Sequence, residues 1–241
     1  MAMRNAGDDW RAFPAGSIPS KASTPHLDRF LEGLRTQAPA TRRPTLLDVG
    51  CGTGRLARRL FDAGFSVLGV DISPTAIEEA RPLAFPSEGG GAFLRFDVVD
   101  CSVAEGPLIE GGPFDVVVCQ LVFSIIGGVR ERESLLRNLY QQLRPGGGLY
   151  LSASGVSDSI NAGYARLYAD DARLTGEPYS YYSRDEKGTI LYTTHHFSAE
   201  ELVALLEGAG FVELHIETER EASSRRPDEA AFFHYVTCRS G

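Results

Sequence analysis

The sequence predicts an open α/β fold, a mostly parallel sheet with an antiparallel hairpin at one edge. Three observations predict it. Strand-like and helix-like runs alternate from Thr45 to Ser154, a rhythm that implies right-handed βαβ units. A glycine-rich turn, "LLDVGCGTG" at Leu46–Gly54, separates the first strand from its helix. After the last helical pattern come two strand-like runs, "FVELHIETE" and "AAFFHYVTCR", with a turn-rich segment between them and no helix. Such runs pair as a hairpin.

The elements follow in order. Residues 1–23 are rich in Gly, Pro, Ser and Asp, with Trp10 and Phe13 embedded, and read as an irregular arm. Thr24-Pro25 opens a helix, a capping hydroxyl followed by proline at the first helical position. "TLLDVG" is a short buried strand, and "RLARRLFDAG" a helix that ends at Gly64. "FSVLGVD" is the second strand. Ser73-Pro74 starts the helix "SPTAIEEARPL". "AFLRFDVVD" and "FDVVVCQL" are the third and fourth strands. The fourth is nearly continuous in valine, as a strand covered on both faces should be. "ERESLLRNLYQQLRPGG" reads as a helix stopped by Pro145-Gly146-Gly147, and "GLYLSAS" as the fifth strand. Residues 155–195 form an insertion longer than an ordinary loop, and "SAEELVALLEGAG" is the last helix.

With 241 residues, 43% of them hydrophobic, the chain suits a single domain, 1–241, carrying the arm and the 155–195 cap. No apolar run reaches the roughly 20 residues that span a bilayer. The N-terminus lacks the apolar core of a secretory signal, so a cytoplasmic protein is expected. A net charge of −8 argues against nucleic acid and anionic lipid as partners. Cys51, Cys101, Cys119 and Cys238 contain no C-x-x-C pair, so neither a zinc site nor any other metal site is expected.

The glycine turn aims backbone N–H groups and a helix N-terminus at a ligand. Dinucleotide folds favour G-x-G-x-x-G. Here the spacing is Gly50-x-Gly52-x-Gly54, and Asp48 lies two positions before the first glycine. A carboxylate there repels a pyrophosphate and suits a cation.

"LLDVGCGTG" resembles the first motif of the class I S-adenosylmethionine-dependent methyltransferases. "GVDIS" at Gly69–Ser73 resembles their second-strand motif, and "FDVVDCS" at Phe96–Ser102 their third. "FDVVVCQLVFSII", "LRPGGGLYLS" and "HHFSAEELVALLEGAGF" resemble later segments of the family, in order. The resemblance implies a doubly wound, seven-stranded, mostly parallel Rossmann-like sheet and S-adenosylmethionine as cofactor. It implies Asp48, Gly50, Cys51, Gly52 and Gly54 in the donor loop, and Asp71 with Ile72 at the ribose. It places Asp100 and Cys101 at the adenine, and Cys119 and Gln120 at the end of strand four.

Methyl transfer from a sulfonium is an in-line displacement, so the protein mainly positions the reactants and excludes water. The acceptor side is expected beyond the carboxyl ends of the strands. The arm, the loop after strand four and the insertion are available there. The insertion holds Tyr164, Tyr168, Tyr179, Tyr181, Tyr182 and Tyr192. Tyrosines there either pack a cap helix or line a pocket for a flat small molecule. Trp10, Phe13, His26, Tyr164, Tyr168 and Tyr179 are candidates to bind the acceptor. His195, His196 and Tyr164 are catalytic candidates, and Lys21 is a candidate partner for the donor's carboxylate. The expected function is methylation of a small-molecule oxygen, nitrogen or sulfur by a monomer or homodimer. A non-catalytic S-adenosylmethionine-binding or regulatory protein, and a nicotinamide oxidoreductase, are the alternatives.

Overall fold

The structure is a computed structural model that describes residues 25–37, 42–86, 91–104, 106, 109–185, 187–223 and 228–241. The expectations that fall on the arm, with Trp10, Phe13, Lys21 and the cap Thr24, lie outside the described residues.

Helix α1 (Pro25–Gln37) precedes β1 (Thr45–Val49), α2 (Arg55–Asp62), β2 (Ser66–Asp71) and α3 (Pro74–Ala80). Next come β3 (Leu94–Val98), β4 (Phe114–Gln120), α4 (Val129–Gln141) and β5 (Leu143–Gly155). The insertion contributes α5 (Ala162–Thr175) and the strands β6 (Ser180–Arg184) and β7 (Ile190–His195). α6 (Ala199–Gly208), β8 (Phe211–Ala222) and β9 (Ala230–Ser240) complete the chain.

Seven strands form one sheet in the order β3-β2-β1-β4-β5-β9-β8. The first five run parallel, and β9 pairs antiparallel with both β5 and β8. The order reverses between β1 and β4, so their carboxyl ends open the crevice where ligands of such sheets bind. Apolar residues of α1, α2 and α3 cover one face, including Leu27, Leu60 and Ile77. Leu135, Leu139, Leu202 and Leu206 of α4 and α6 cover the other. The sheet is therefore doubly wound.

Local chemistry explains the ends of the elements. Ser73 caps α3, its hydroxyl accepting from the Ala76 N–H. The helix gives way to a tight turn at Arg81–Leu83, because Pro82 has no N–H to continue it. α4 ends at Gln141, earlier than the sequence suggests, and Arg144–Gly147 already belongs to the lead-in of β5. The insertion is more than a cap helix, since β6 and β7 form a hairpin of their own. All four cysteines are buried and unbridged.

Candidate donor and acceptor site

The glycine loop is pinned to the tip of β2. The N–H groups of Gly50 and Cys51 both donate to the Val70 carbonyl, at 2.8 and 3.0 Å. The Gly52 N–H donates to Asp71 Oδ2 at 2.9 Å, and the Ser73 N–H to Asp71 Oδ1 at 2.9 Å. One carboxylate thus fixes both the loop and the start of α3. Gly50 and Gly52 have positive φ, +72° and +53°. A Cβ on Gly50 would lie 2.2 Å from Val122 Cγ2, whereas one on Gly52 would meet nothing within 4 Å. The first glycine is required by the protein's own packing. The second faces open space at the mouth of the loop.

Asp48 lies beneath this loop on the α1–α3 face, only 2% exposed. Its Oδ2 has no hydrogen-bond partner. Burial, and then the charge of Asp71, pushes its carboxyl up to about 7. Two carboxylates close together beneath the loop, one with an orphaned oxygen, fit a ligand that brings positive charge. Ile72 is half-buried beside Asp71. At the neighbouring strand end the Val99 N–H donates to the Asp71 carbonyl at 2.9 Å. Asp100 Oδ1 accepts from the Ser102 N–H and hydroxyl, at 3.0 and 2.6 Å. The Cys101 carbonyl accepts from Asn138 at 2.8 Å. Asp48, the loop, Asp71, Ile72, Asp100 and Cys101 therefore gather along adjacent carboxyl ends. Burial above all pushes the Cys101 thiol up to about 12 and the Cys51 and Cys119 thiols higher than usual, which disfavours their thiolates. Cys119 is in the core, with Gln120 half-buried above it.

A cleft of about 560 Å³, counting its solvent-filled mouth, lies beyond β4 and β5. Its walls include Leu121, Tyr164, Tyr181, Tyr192, His196 and Phe233. It adjoins the glycine loop through two consecutive residues, because Leu121 lines the cleft and Val122 packs under Gly50. Leu121 has φ +60°, a strained value for a branched side chain, held by its N–H donating to Ser152 at 3.0 Å.

Strand parity sorts the insertion. Tyr181 and Ser183 of β6, with Tyr192 and Thr194 of β7 and then His196, face the cleft. His195 faces away. Its Nδ1 lies 2.8 Å from Ser180 Oγ and its Nε2 3.0 Å from Glu201. Ser180 also bonds Glu177, which pairs with the buried Arg132 at 2.6 Å. This polar chain clamps the cap to α4 and α6, and it corrects the catalytic expectation for His195. Tyr164 lines the cleft and bonds Ser223 at 2.8 Å. Tyr168 sits behind His196, its hydroxyl 2.6 Å from Nδ1, and Tyr179 packs edge-on against Tyr168. Neither Tyr168 nor Tyr179 lines the cleft.

His26 is also outside it. Its ring stacks on Tyr235 at 4.1 Å, near Glu217 and Glu219. These three side chains bring potential metal ligands within 4.8 Å of one another, a grouping that no sequence spacing reveals. Arg29 already pairs with both oxygens of Glu217, at 3.1 and 2.9 Å. The sequence reading missed Ser124, Ser154, Ser223 and Phe233 as cleft residues. Only the period-2 pattern of "SYYS" and "LYTTHH" carried a signal for the cap walls.

Residues 47–149 match the family model for a methyltransferase domain. The solved S-adenosylmethionine-dependent methyltransferase from Methanosarcina mazei superposes with TM-score 0.74 at 25% identity, covering 86% of this chain and 96% of that one. Residues 47–149 thus carry a methyltransferase domain, and the chain is similar to the S-adenosylmethionine-dependent methyltransferases. The cofactor of this methyltransferase family is S-adenosylmethionine. A curated relative, the ubiquinone biosynthesis O-methyltransferase of Caulobacter vibrioides, is 34% identical over 108 residues, 45% of this chain and 40% of that protein. The chain spans under half the length of the curated relatives it matches. The 1,6-didemethyltoxoflavin-N1-methyltransferase of Burkholderia thailandensis shares the fold of this chain, with TM-score 0.58 at 19% identity over 91% of this chain and 78% of that one. Among the described residues no helix is long and apolar enough to cross a membrane.

Proposed function

We propose that the chain transfers a methyl group from S-adenosylmethionine to a small-molecule acceptor held in the cap-covered cleft. The observation that carries this is the junction at Leu121–Val122, where the cleft meets the glycine loop across one peptide unit. The orphaned Asp48 oxygen and the open space at Gly52 fit the donor. Gly50, Cys51, Gly52 and Gly54 would frame it, with Asp48, Asp71, Ile72, Asp100, Cys101, Cys119 and Gln120 around them. When bound, the sulfonium supplies an already activated methyl. The chain then needs to orient the acceptor and exclude water, and a cleft closed by α5 and the β6–β7 hairpin does both. The acidic balance and the cleft's size support a cytoplasmic protein acting on a small molecule rather than on nucleic acid. The 155–195 cap is read as part of one methyltransferase domain.

Calorimetry with S-adenosylhomocysteine and with NAD, followed by turnover of methyl-labelled donor with a metabolite mixture, tests the proposal. Binding of the homocysteine product and label in a small molecule are expected. Binding of NAD alone, or label only in RNA, DNA or protein, would overturn it.

A further inference from the structure

We infer that the acceptor is an uncharged aromatic hydroxyl compound, methylated on oxygen, and that His196 takes its proton. This rests on the methyltransferase reading above and names its substrate class.

The cleft's lining decides the class. Among the described residues no Asp, Glu, Lys or Arg lines it. Its polar groups are neutral: Ser124, Ser154, Ser183, Thr194 and Ser223, the tyrosine hydroxyls and one imidazole. Among these described walls a carboxylate or phosphate acceptor would be stripped of water without a counter-charge, and an ammonium would find no carboxylate partner. A flat neutral ring with a hydroxyl meets aromatic walls in Tyr164, Tyr181, Tyr192 and Phe233, and hydrogen-bonding hydroxyls between them.

The relay decides the role of His196. The imidazole is 2% exposed and lies between two tyrosine hydroxyls. Nδ1 is 2.6 Å from Tyr168 and Nε2 is 3.3 Å from Tyr181. The Nδ1 contact is short and deep. In the tautomer that serves as the base, Nδ1–H donates to the Tyr168 oxygen and Nε2 carries the lone pair. Tyr168 also accepts from the Ser157 N–H, and burial holds its phenol well above its ordinary range, so it stays neutral. The Nε2 contact is long and on the cleft side, where Tyr181 is a wall. The proton of an acceptor hydroxyl therefore reaches Nε2 directly or through the Tyr181 hydroxyl.

In the step the acceptor oxygen forms a bond to the methyl carbon, and the sulfur–methyl bond breaks with its electron pair staying on sulfur. The O–H proton passes to Nε2. The sulfonium charge disappears as an imidazolium charge appears, so the net charge of the site does not change. That imidazolium is born in an aromatic cage, with the rings of Tyr164, Tyr181 and Tyr168 centred 4.7, 5.3 and 5.7 Å from it. Tyr168 is a positioning residue, acting through His196. The titratable groups that face His196 are Tyr164 and Tyr168 of α5 and Tyr181 of β6, with Asp158 acting on Tyr168 from the preceding turn.

The test uses the full chain, S-adenosylmethionine and a panel of neutral phenols, aryl carboxylates, primary amines and thiols. Products are identified by mass and by NMR, and calorimetry follows the binding of S-adenosylhomocysteine and of the phenols without donor. Phenols should be converted to methyl ethers. His196→Gln should lower kcat by roughly 10²- to 10⁴-fold, the usual weight of a general base. It should leave homocysteine-product affinity intact and regain activity as pH rises toward the phenol's own pKa. Tyr168→Phe should shift the acid limb of the pH profile, and Tyr181→Phe should weaken phenol binding in the donor-free protein. Methylation only at nitrogen or sulfur, no phenol methylated by a protein that binds the homocysteine product, or unchanged kcat in folded His196→Gln overturns this inference and leaves the methyltransferase reading standing. Loss of homocysteine-product binding in the wild type overturns both.

Discussion

The Asp71 carboxylate receives the Gly52 N–H on one oxygen and the Ser73 N–H on the other, each at 2.9 Å. A single side chain at the end of β2 therefore sets the shape of the glycine loop and the start of α3. Each oxygen keeps a lone pair for a ligand hydroxyl. Asp71→Asn sets a donor against one of the two N–H groups, so it should lose about 1–3 kcal/mol of stability and weaken S-adenosylhomocysteine by about 1.5–3 kcal/mol, the range for hydrogen bonds to charged groups. Calorimetry decides it, and unchanged affinity in a folded variant removes Asp71 from the donor site.

Gly50 and Gly52 should separate stability from binding. Gly50→Ala drives a Cβ into Val122 and should lose about 2–4 kcal/mol from overpacking and left-handed strain together. Gly52→Ala has room for the methyl and should lose only about 1–2 kcal/mol, from backbone strain alone. Its Cβ occupies the space assigned to the donor, so homocysteine-product affinity should fall by more than tenfold. Urea melts and calorimetry on both variants check this. Wild-type affinity in Gly52→Ala would mean that the loop mouth is not where the donor lies.

Asp48 makes the ligand-free protein sensitive to pH. Its carboxyl is raised from an ordinary value near 3.8 to about 7 in the folded chain. A raised group favours folding while protonated in the native state, so its contribution is full below about pH 4 and is lost as pH climbs to 7. The loss is on the order of 4 kcal/mol. Asp48→Asn should therefore be more stable than wild type at pH 8 and nearly equal to it at pH 4. Denaturation midpoints at both values test this. A variant with the same pH dependence as wild type assigns the effect to other groups.

The Arg132–Glu177 pair should behave as a buried clamp. Glu177→Ala leaves a guanidinium only 1% exposed facing no carboxylate, and should lose about 3–5 kcal/mol. Arg132→Met with Glu177→Leu should recover most of that. Breaking the exposed Arg58–Asp62 pair, the control, should lose under about 1 kcal/mol. Chemical denaturation of all four proteins reads the comparison, and a Glu177→Ala loss no larger than the control's dismisses the clamp.

What was legible in the sequence was set by backbone chemistry. The glycine turn, the acidic ends of β2 and β3 and the cap at Ser73 each rest on residues whose reason is local. The terminal hairpin was legible because no helical pattern separates its strands. The cleft was not, because its walls come from seven separate segments that only the fold brings together. The His195-His196 doublet shows the limit most clearly. Two identical neighbours have identical propensities, and only the pairing of β7 with β6 decides that one faces the Glu201 carboxylate and the other the cleft. The β6–β7 hairpin itself hides in a stretch whose tyrosines fit a helix or a strand equally well.

The cap enters the chain between β5 and α6, after the 47–149 stretch that matches the methyltransferase domain model. Its anchors, Arg132 on α4 and Glu201 on α6, lie on the opposite face of the sheet from Asp48. In the proposed site the donor loop and the cap walls therefore lie on different pieces of chain, although Leu121, Ser124 and Ile125 of the 47–149 stretch also line the cleft. Replacing the walls at Tyr181, Ser183, Tyr192 and Thr194 would redraw the acceptor while leaving every hydrogen bond of the glycine loop in place. On the proposed reading, two proteins that agree across 47–149 need not share an acceptor if their caps differ.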